Sequence, residues 1–211
     1  MSNIKDTKTQ KGSNTYNMIL RKAVDIASIE GLNGVSIGRL ASELNMSKSG
    51  LFAHFGSKEQ LQSKIIDIAA QIFNEEVIKP AESHQMGLHR LWSLMDNWIS
   101  YLERKVFPGG CFFSTVTIEY DCKKGELHEK IGKIMSDWRN RIINELNTAK
   151  GNKQIIKDAD IYKLAFEIIS IGMGANWIFN YYNDKEICMQ ARKSILDLLN
   201  AVIIDKSIKL S

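Results

Sequence analysis

An all-α fold is what this sequence predicts. Three observations carry it: apolar residues recur at three- and four-residue spacing from about Thr15 to residue 207, no stretch alternates as a half-buried strand would, and the 211 residues include only two prolines. Pro80 follows the helical run from Lys58 and Pro108 the run from Leu88, so both stand where helices should stop. With 44% hydrophobic and 25% charged residues, the chain has the makeup of a water-soluble protein with room for one small and one larger domain.

The elements follow in order. Met1 to Asn14 is polar, carries no secretory signal and reads as a disordered tail. A first helix runs from about Thr15 to Glu30 and stops at Gly31. Ser36 then caps a helix whose Ile37, Leu40, Ala41 and Leu44 share one face, Ala41 being small enough for a close crossing. Asn45 tolerates the left-handed turn required next, and Ser47 caps a third helix that starts Lys48-Ser49-Gly50 and buries Leu51 and Phe55. Ser57 caps the helix opening at Lys58. Two short capped helices around a tight turn are the pattern of a helix-turn-helix DNA reader. Free amides and partial positive charge at the start of the third helix suit phosphate, and Lys48, Ser49 and His54 have side chains that reach base edges.

Charge agrees with this reading. Residues 1–64 hold nine basic and five acidic side chains, while the whole chain holds 28 and 24, so the surplus of four lies entirely in this region.

Beyond Lys58 the period stays helical. Leu61, Ile65, Ile68 and Ile72 form one stripe and Ile66, Ala69, Phe73 and Val77 another, so this helix must pack on two sides. Helices follow near 88–102, 111–120, 127–146, 158–182 and 184–207. Trp92, Met95, Phe112, Phe113, Trp138, Phe166 and Trp177 are either ordinary core or the lining of an apolar cavity, with Glu119 and Asn176 as polar fixing groups. The last two helices carry more apolar length than one small domain must cover, which predicts a homodimer through Ile168, Gly172, Ala175, Ile195, Leu198 and Leu199. Cys111, Cys122 and Cys188 have no paired spacing and read as reduced thiols, and His54, His84, His89 and His128 form no metal cluster. The most apolar run, Ala165 to Tyr182, contains Glu167, Asn176 and Asn180 and reads as a buried helix, so no membrane partner and a cytoplasmic location are expected.

The capped helices from Thr15, the stretch Val35 to Phe55 and Gly-Ser-Lys-Glu-Gln-Leu at 56–61 together resemble the N-terminal domain of the TetR/AcrR family of bacterial repressors. The resemblance implies a three-helix DNA-binding domain at 15–60 after the tail at 1–14, and a helical regulatory and dimerisation domain at 61–211. It gives Lys48 and Lys58 DNA-contact roles, so the expected DNA-facing set is Ser36, Arg39, Ser47, Lys48, Ser49, Gly50, His54 and Lys58. Three departures stand out: Phe52 replaces a Tyr whose hydroxyl meets a phosphate, Gly50 replaces a larger residue, and Gly38 stands where a basic residue is frequent, with Arg39 beside it. Phe107-Pro-Gly-Gly-Cys-Phe-Phe113 resembles a recurring element of one branch of TetR-like C-terminal domains. The implied partners are an operator duplex and a small apolar or amphipathic effector, with control by a protein partner or by thiol oxidation as the alternative. No phosphate loop, metal-protease helix or nucleophile elbow is present, so neither an enzyme nor a cofactor is expected.

Overall fold

The computed structural model describes residues 15–205 and 208–210 in full and, of residues 3–14, the helical backbone alone; the tail expected over 1–14 lies outside the fully described part. Among the described residues ten α-helices follow in order: α1 (Asn3–Glu30), α2 (Ile37–Glu43), α3 (Lys48–Phe55), α4 (Lys58–Phe73), α5 (Lys79–Ala81), α6 (Leu88–Glu103), α7 (Phe112–Tyr120), α8 (Glu126–Gly151), α9 (Ile161–Tyr182) and α10 (Glu186–Val202). A 3-10 turn, Leu32–Gly34, joins α1 to α2, and a π-helical turn, Asn74–Ile78, joins α4 to α5. Pro80 does not stop the run from Lys58. It lies two residues past the π-helical turn, in a run that stays helical from Lys58 to Ala81.

Packing divides the chain into two compact units: Met1–Gln71 with Phe107–Ile131, and Ile72–Val106 with Gly132–Ser211. The division differs from the boundary drawn at 60/61, because most of α4, the Phe107 loop, α7 and the start of α8 group with the N-terminal helices.

In the first unit the core is Ile19, Leu20, Ala23, Val24 and Ala27 of α1 with Leu40, Leu51, Leu61, Ile65 and Phe112, all buried. The Pro108-Gly109-Gly110 loop lies directly on the end of α1. The Gly109 N–H donates to Ser28 Oγ at 3.0 Å, Thr115 Oγ1 donates to the Ser28 carbonyl at 3.1 Å, and a Cβ on Gly109 would overlap the Ser28 backbone. Arg21 covers the Phe107 ring at 4.9 Å.

The second unit is a bundle of α6, α8, α9 and α10. Nine residues of α6 are buried, among them Trp92, Met95 and Trp98. Trp98 lies against Gly172, where a Cβ would overlap the indole, so α6 and α9 approach closely through that glycine. Gln154 accepts the Leu88 N–H at 3.2 Å and buried Glu145 the Gly87 N–H at 2.8 Å, satisfying the first amides of α6. Arg192 of α10 donates to Asp96 at 2.6 Å and to both Glu103 oxygens at 2.8 Å, fixing α10 on α6. Among the described residues no helix is long and apolar enough to cross a membrane, and no group of three or more His, Cys, Asp or Glu could hold a metal ion.

Candidate functional site

The helix-turn-helix forms as its sequence dictates. Ser36 Oγ accepts the Arg39 N–H at 3.2 Å, Ser47 Oγ the Gly50 N–H at 3.1 Å and Ser57 Oγ the Gln60 N–H at 3.1 Å, so α2, α3 and α4 each start on a serine cap. Asn45 turns with φ of 52° in the left-handed region. Leu40, Ala41, Leu51 and Phe55 are buried, and the N-terminal end of α3 is left outside.

Ser47, Lys48 and Ser49 are exposed at that end, Ser49 Oγ lying 3.3 Å from Ser47 Oγ. The unusual glycines make room here. Lys48 lies across Gly38, whose Cβ position is 3.4 Å from Lys48 Cε, and a Cβ on Gly50 would sit 3.0 Å from the capping Ser47 Oγ. Gly50 therefore protects a cap and brings no side chain to DNA. Lys58 is exposed at the start of α4.

Two expected contacts are arranged differently. Arg39 is engaged by Glu30: both guanidinium nitrogens meet the carboxylate, Nη2 to Oε1 at 2.6 Å, and these hydrogen bonds hold the Glu30 carboxyl below its ordinary pKa. The pair lies within the unit, and both side chains remain exposed. His54 belongs to another patch, with Tyr16 at 6.2 Å between ring centroids, and lines a cleft of about 160 Å³ with Phe55, Gln60, Ser63 and Lys64. Outside the expected set, Phe52, 56% exposed, and Ala53 are also exposed on α3. Around α3, Ser49 and Ala53 lie opposite buried Leu51 and Phe55, a relation that the helical period already contains.

The expected ligand residues are shared between the two units. Phe112, Phe113 and Glu119 belong to the first unit, and Trp92, Met95, Trp138, Phe166, Asn176 and Trp177 to the second. Glu119 is a structural acceptor, described below, while Phe166 and Trp177 point to solvent with 71% and 56% exposure. What does come together in the second unit is a ring cluster: Phe73 is edge-on to Tyr101 at 5.7 Å and to Trp138 at 5.2 Å, and Trp138 is edge-on to Trp98 at 5.6 Å. The buried Trp98 Nε1–H has no hydrogen-bond partner.

The expected dimer residues also need correction. Ile168, Ala175, Ile195 and Leu199 are buried within the chain, and Gly172 receives Trp98, because they form the seams between α6, α9 and α10. Leu198 alone of the set reaches an open surface, a groove of about 640 Å³ shared with Phe166, Ile171, Ser194 and Ala201. Tyr162, Phe166, Trp177 and Tyr181, at helical spacing on α9, are exposed large side chains.

Residues 19–63 match the family described as bacterial regulatory proteins, tetR family, and residues 87–195 the tetracyclin repressor-like C-terminal domain. The chain belongs to the TetR family. Like other TetR regulators it carries a helix-turn-helix DNA-binding domain and a helical C-terminal domain. A TetR transcriptional regulator from Chloroflexus aurantiacus superposes with a TM-score of 0.84 at 24% identity, over 92% of this chain and 98% of that one. A TetR-family regulator from Cytophaga hutchinsonii gives 0.78 at 21% identity, over 93% and 98%. AibR, solved in complex with isovaleryl coenzyme A and operator DNA, gives 0.70 at 20% identity, over 89% and 97%. At these identities the likeness establishes the fold. A comparison with curated proteins returned no sequence match.

Proposed function

We propose that this TetR-family regulator is a repressor that binds a pseudo-palindromic operator as a two-fold dimer and leaves it when a small apolar or amphipathic molecule occupies the second unit. The observation that carries the ligand half is the ring cluster of Phe73, Tyr101, Trp138 and Trp98, which holds an indole N–H without an acceptor. A buried apolar ring cluster with one unused donor suits a ligand that is mostly hydrocarbon and carries an oxygen acceptor. That AibR binds both an acyl coenzyme A and operator DNA supports the same pairing of partners.

DNA reading is assigned to Ser47, Lys48 and Ser49 of α3, with Phe52 and Ala53 beside them, and phosphate contact to Lys58. One short recognition helix spans too few base pairs for specificity, so two copies are required. The open stripe of α9, with Leu198 of α10, is the face assigned to the second copy. Control by thiol oxidation has less support: burial pushes the Cys188 thiol up to about 11, and the hydrogen bond to Asp121 raises that of Cys122.

The test is a screen of straight-chain and branched alcohols, ketones and fatty acids by tryptophan fluorescence, each hit then titrated against the protein bound to selected DNA. Hits that lower DNA affinity by about 5–150-fold, with DNA lowering hit affinity by the same factor, fit the proposal. Tight hits that leave DNA affinity unchanged refute it.

A further inference from the structure

The 3-10 turn Leu32–Gly34 is the corner from which the helix-turn-helix hangs, and its first two amides face no helix of their own. Both are taken by one carboxylate from α7. Leu32 N–H donates to Glu119 Oε2 at 2.6 Å and Asn33 N–H to Oε1 at 3.0 Å, across 87 and 86 residues of sequence. Lys123 donates to the same Oε1 at 3.2 Å. The opposite pole of the corner is also held, since buried Gln62 of α4 donates Nε2–H to the Leu32 carbonyl at 2.8 Å. Gly31 clears the path: its φ is 74°, and a Cβ there would overlap Glu119 Oε2. The base of α7 is fastened to the end of α1 by Gly109 and Thr115 on Ser28, and the start of α8 is tied to α4 by Lys130, which donates to Ser63 Oγ at 2.8 Å and meets Asp67 at 2.6 Å.

We infer that Glu119 is a positioning residue for DNA reading: its carboxylate fixes the angle at which α2 and α3 leave α1, and the Pro108-Gly109-Gly110 loop with α7 is the brace that carries it. The reasoning is geometric. The pair α2–α3 is joined to α1 by this turn, by non-directional packing of Leu40, Leu51 and Phe55 in the shared core, where Phe55 stacks on Tyr16 at 5.3 Å, and by two exposed ion pairs, Arg39–Glu30 and Lys22–Glu43. Exposed pairs are weak restraints, whereas two charge-assisted bonds to a part-buried carboxylate hold a backbone direction. Operator recognition requires both recognition helices of a dimer to meet base edges in register, but attraction to phosphate does not. Loss of the clamp should therefore cost sequence discrimination and leave charge-driven binding in place.

The inference rests on the DNA-binding reading of α2 and α3. The test compares the wild type with Glu119→Gln and Glu119→Ala on two probes, a duplex selected by the wild type from a random pool and an unselected duplex, across a salt series, with amide exchange followed at Leu32 and Asn33. Affinity for the selected duplex should fall by about tenfold in Glu119→Ala, the equivalent of one good hydrogen bond, and by less in Glu119→Gln, which keeps one acceptor. Affinity for the unselected duplex should stay level or rise slightly because a negative charge is gone, with an unchanged salt slope, and exchange at the two amides should quicken. A parallel loss on both duplexes that tracks a lowered melting temperature would mean that Glu119 only stabilises the fold, and unchanged discrimination would end the inference outright. If the wild type selects no sequence, the DNA reading fails, and amide exchange still decides whether the clamp holds the corner.

Discussion

In the DNA-binding unit the decisive groups are polar and sit at chain reversals: Ser36, Ser47 and Ser57 cap three helices, Glu119 and Gln62 hold the α1–α2 corner, and Ser28 receives the loop at Gly109. In the second unit the decisive groups are rings and methyls. Trp98 seats on Gly172, Phe73 and Trp138 meet edge to face, and α9 leaves Tyr162, Phe166, Trp177 and Tyr181 uncovered. The contrast teaches what each unit can tolerate. Hydrogen-bonded corners fix direction, as a reader of base edges requires, whereas non-directional apolar packing can yield to a ligand or accept a second copy.

The contrast breaks most visibly in the second unit. Ile195→Glu should prevent folding, because it places a charge in a fully buried seam, while Leu198→Glu should give folded monomer. Sedimentation and circular dichroism distinguish the two, and a Leu198→Glu protein that stays dimeric would remove α10 from the interface. Next in size is Gly109→Ala in the first unit, expected to cost about 1–3 kcal/mol because the new Cβ meets the Ser28 backbone, read by urea unfolding. Lys58→Ala should weaken selected and unselected DNA about equally and reduce the salt slope by about one, with no loss of thermal stability.

How much of this was legible in sequence follows the same contrast. Caps, the left-handed Asn45 and the stop at Gly31 are local chemistry, so Ser36, Ser47 and Ser57 could be read directly. Which side of an apolar helix faces its own chain is not local. Ile168, Ile195 and Leu199 read as an interface because period alone cannot tell a seam within the chain from a surface. Glu119 reads as a ligand residue because nothing in its neighbourhood reveals amides 86 residues away, and the pairing of Arg39 is hidden because Glu30 lies one element earlier.

The smallest expected effect sharpens the electrostatics of α1. Burial raises the Asp25 carboxyl above its ordinary pKa despite Arg21 and Lys22 nearby. A raised pKa means that the folded chain favours the protonated acid, so the ionised group costs stability at neutral pH and the cost fades as pH falls through the raised value. Asp25→Asn should then melt about 1–3 °C above the wild type at neutral pH, with the gap closing in acid.

Central to the account is that two copies of α3, held by one dimer, read one pseudo-palindromic duplex. Titrating the selected duplex in an analytical ultracentrifuge at two salt concentrations tests it directly. Two protomers per duplex for the wild type, and loss of selective binding in Leu198→Glu with its unselected binding kept, are the predicted results. A single protomer bound to the selected duplex, or full selectivity in a monomeric variant, would contradict it.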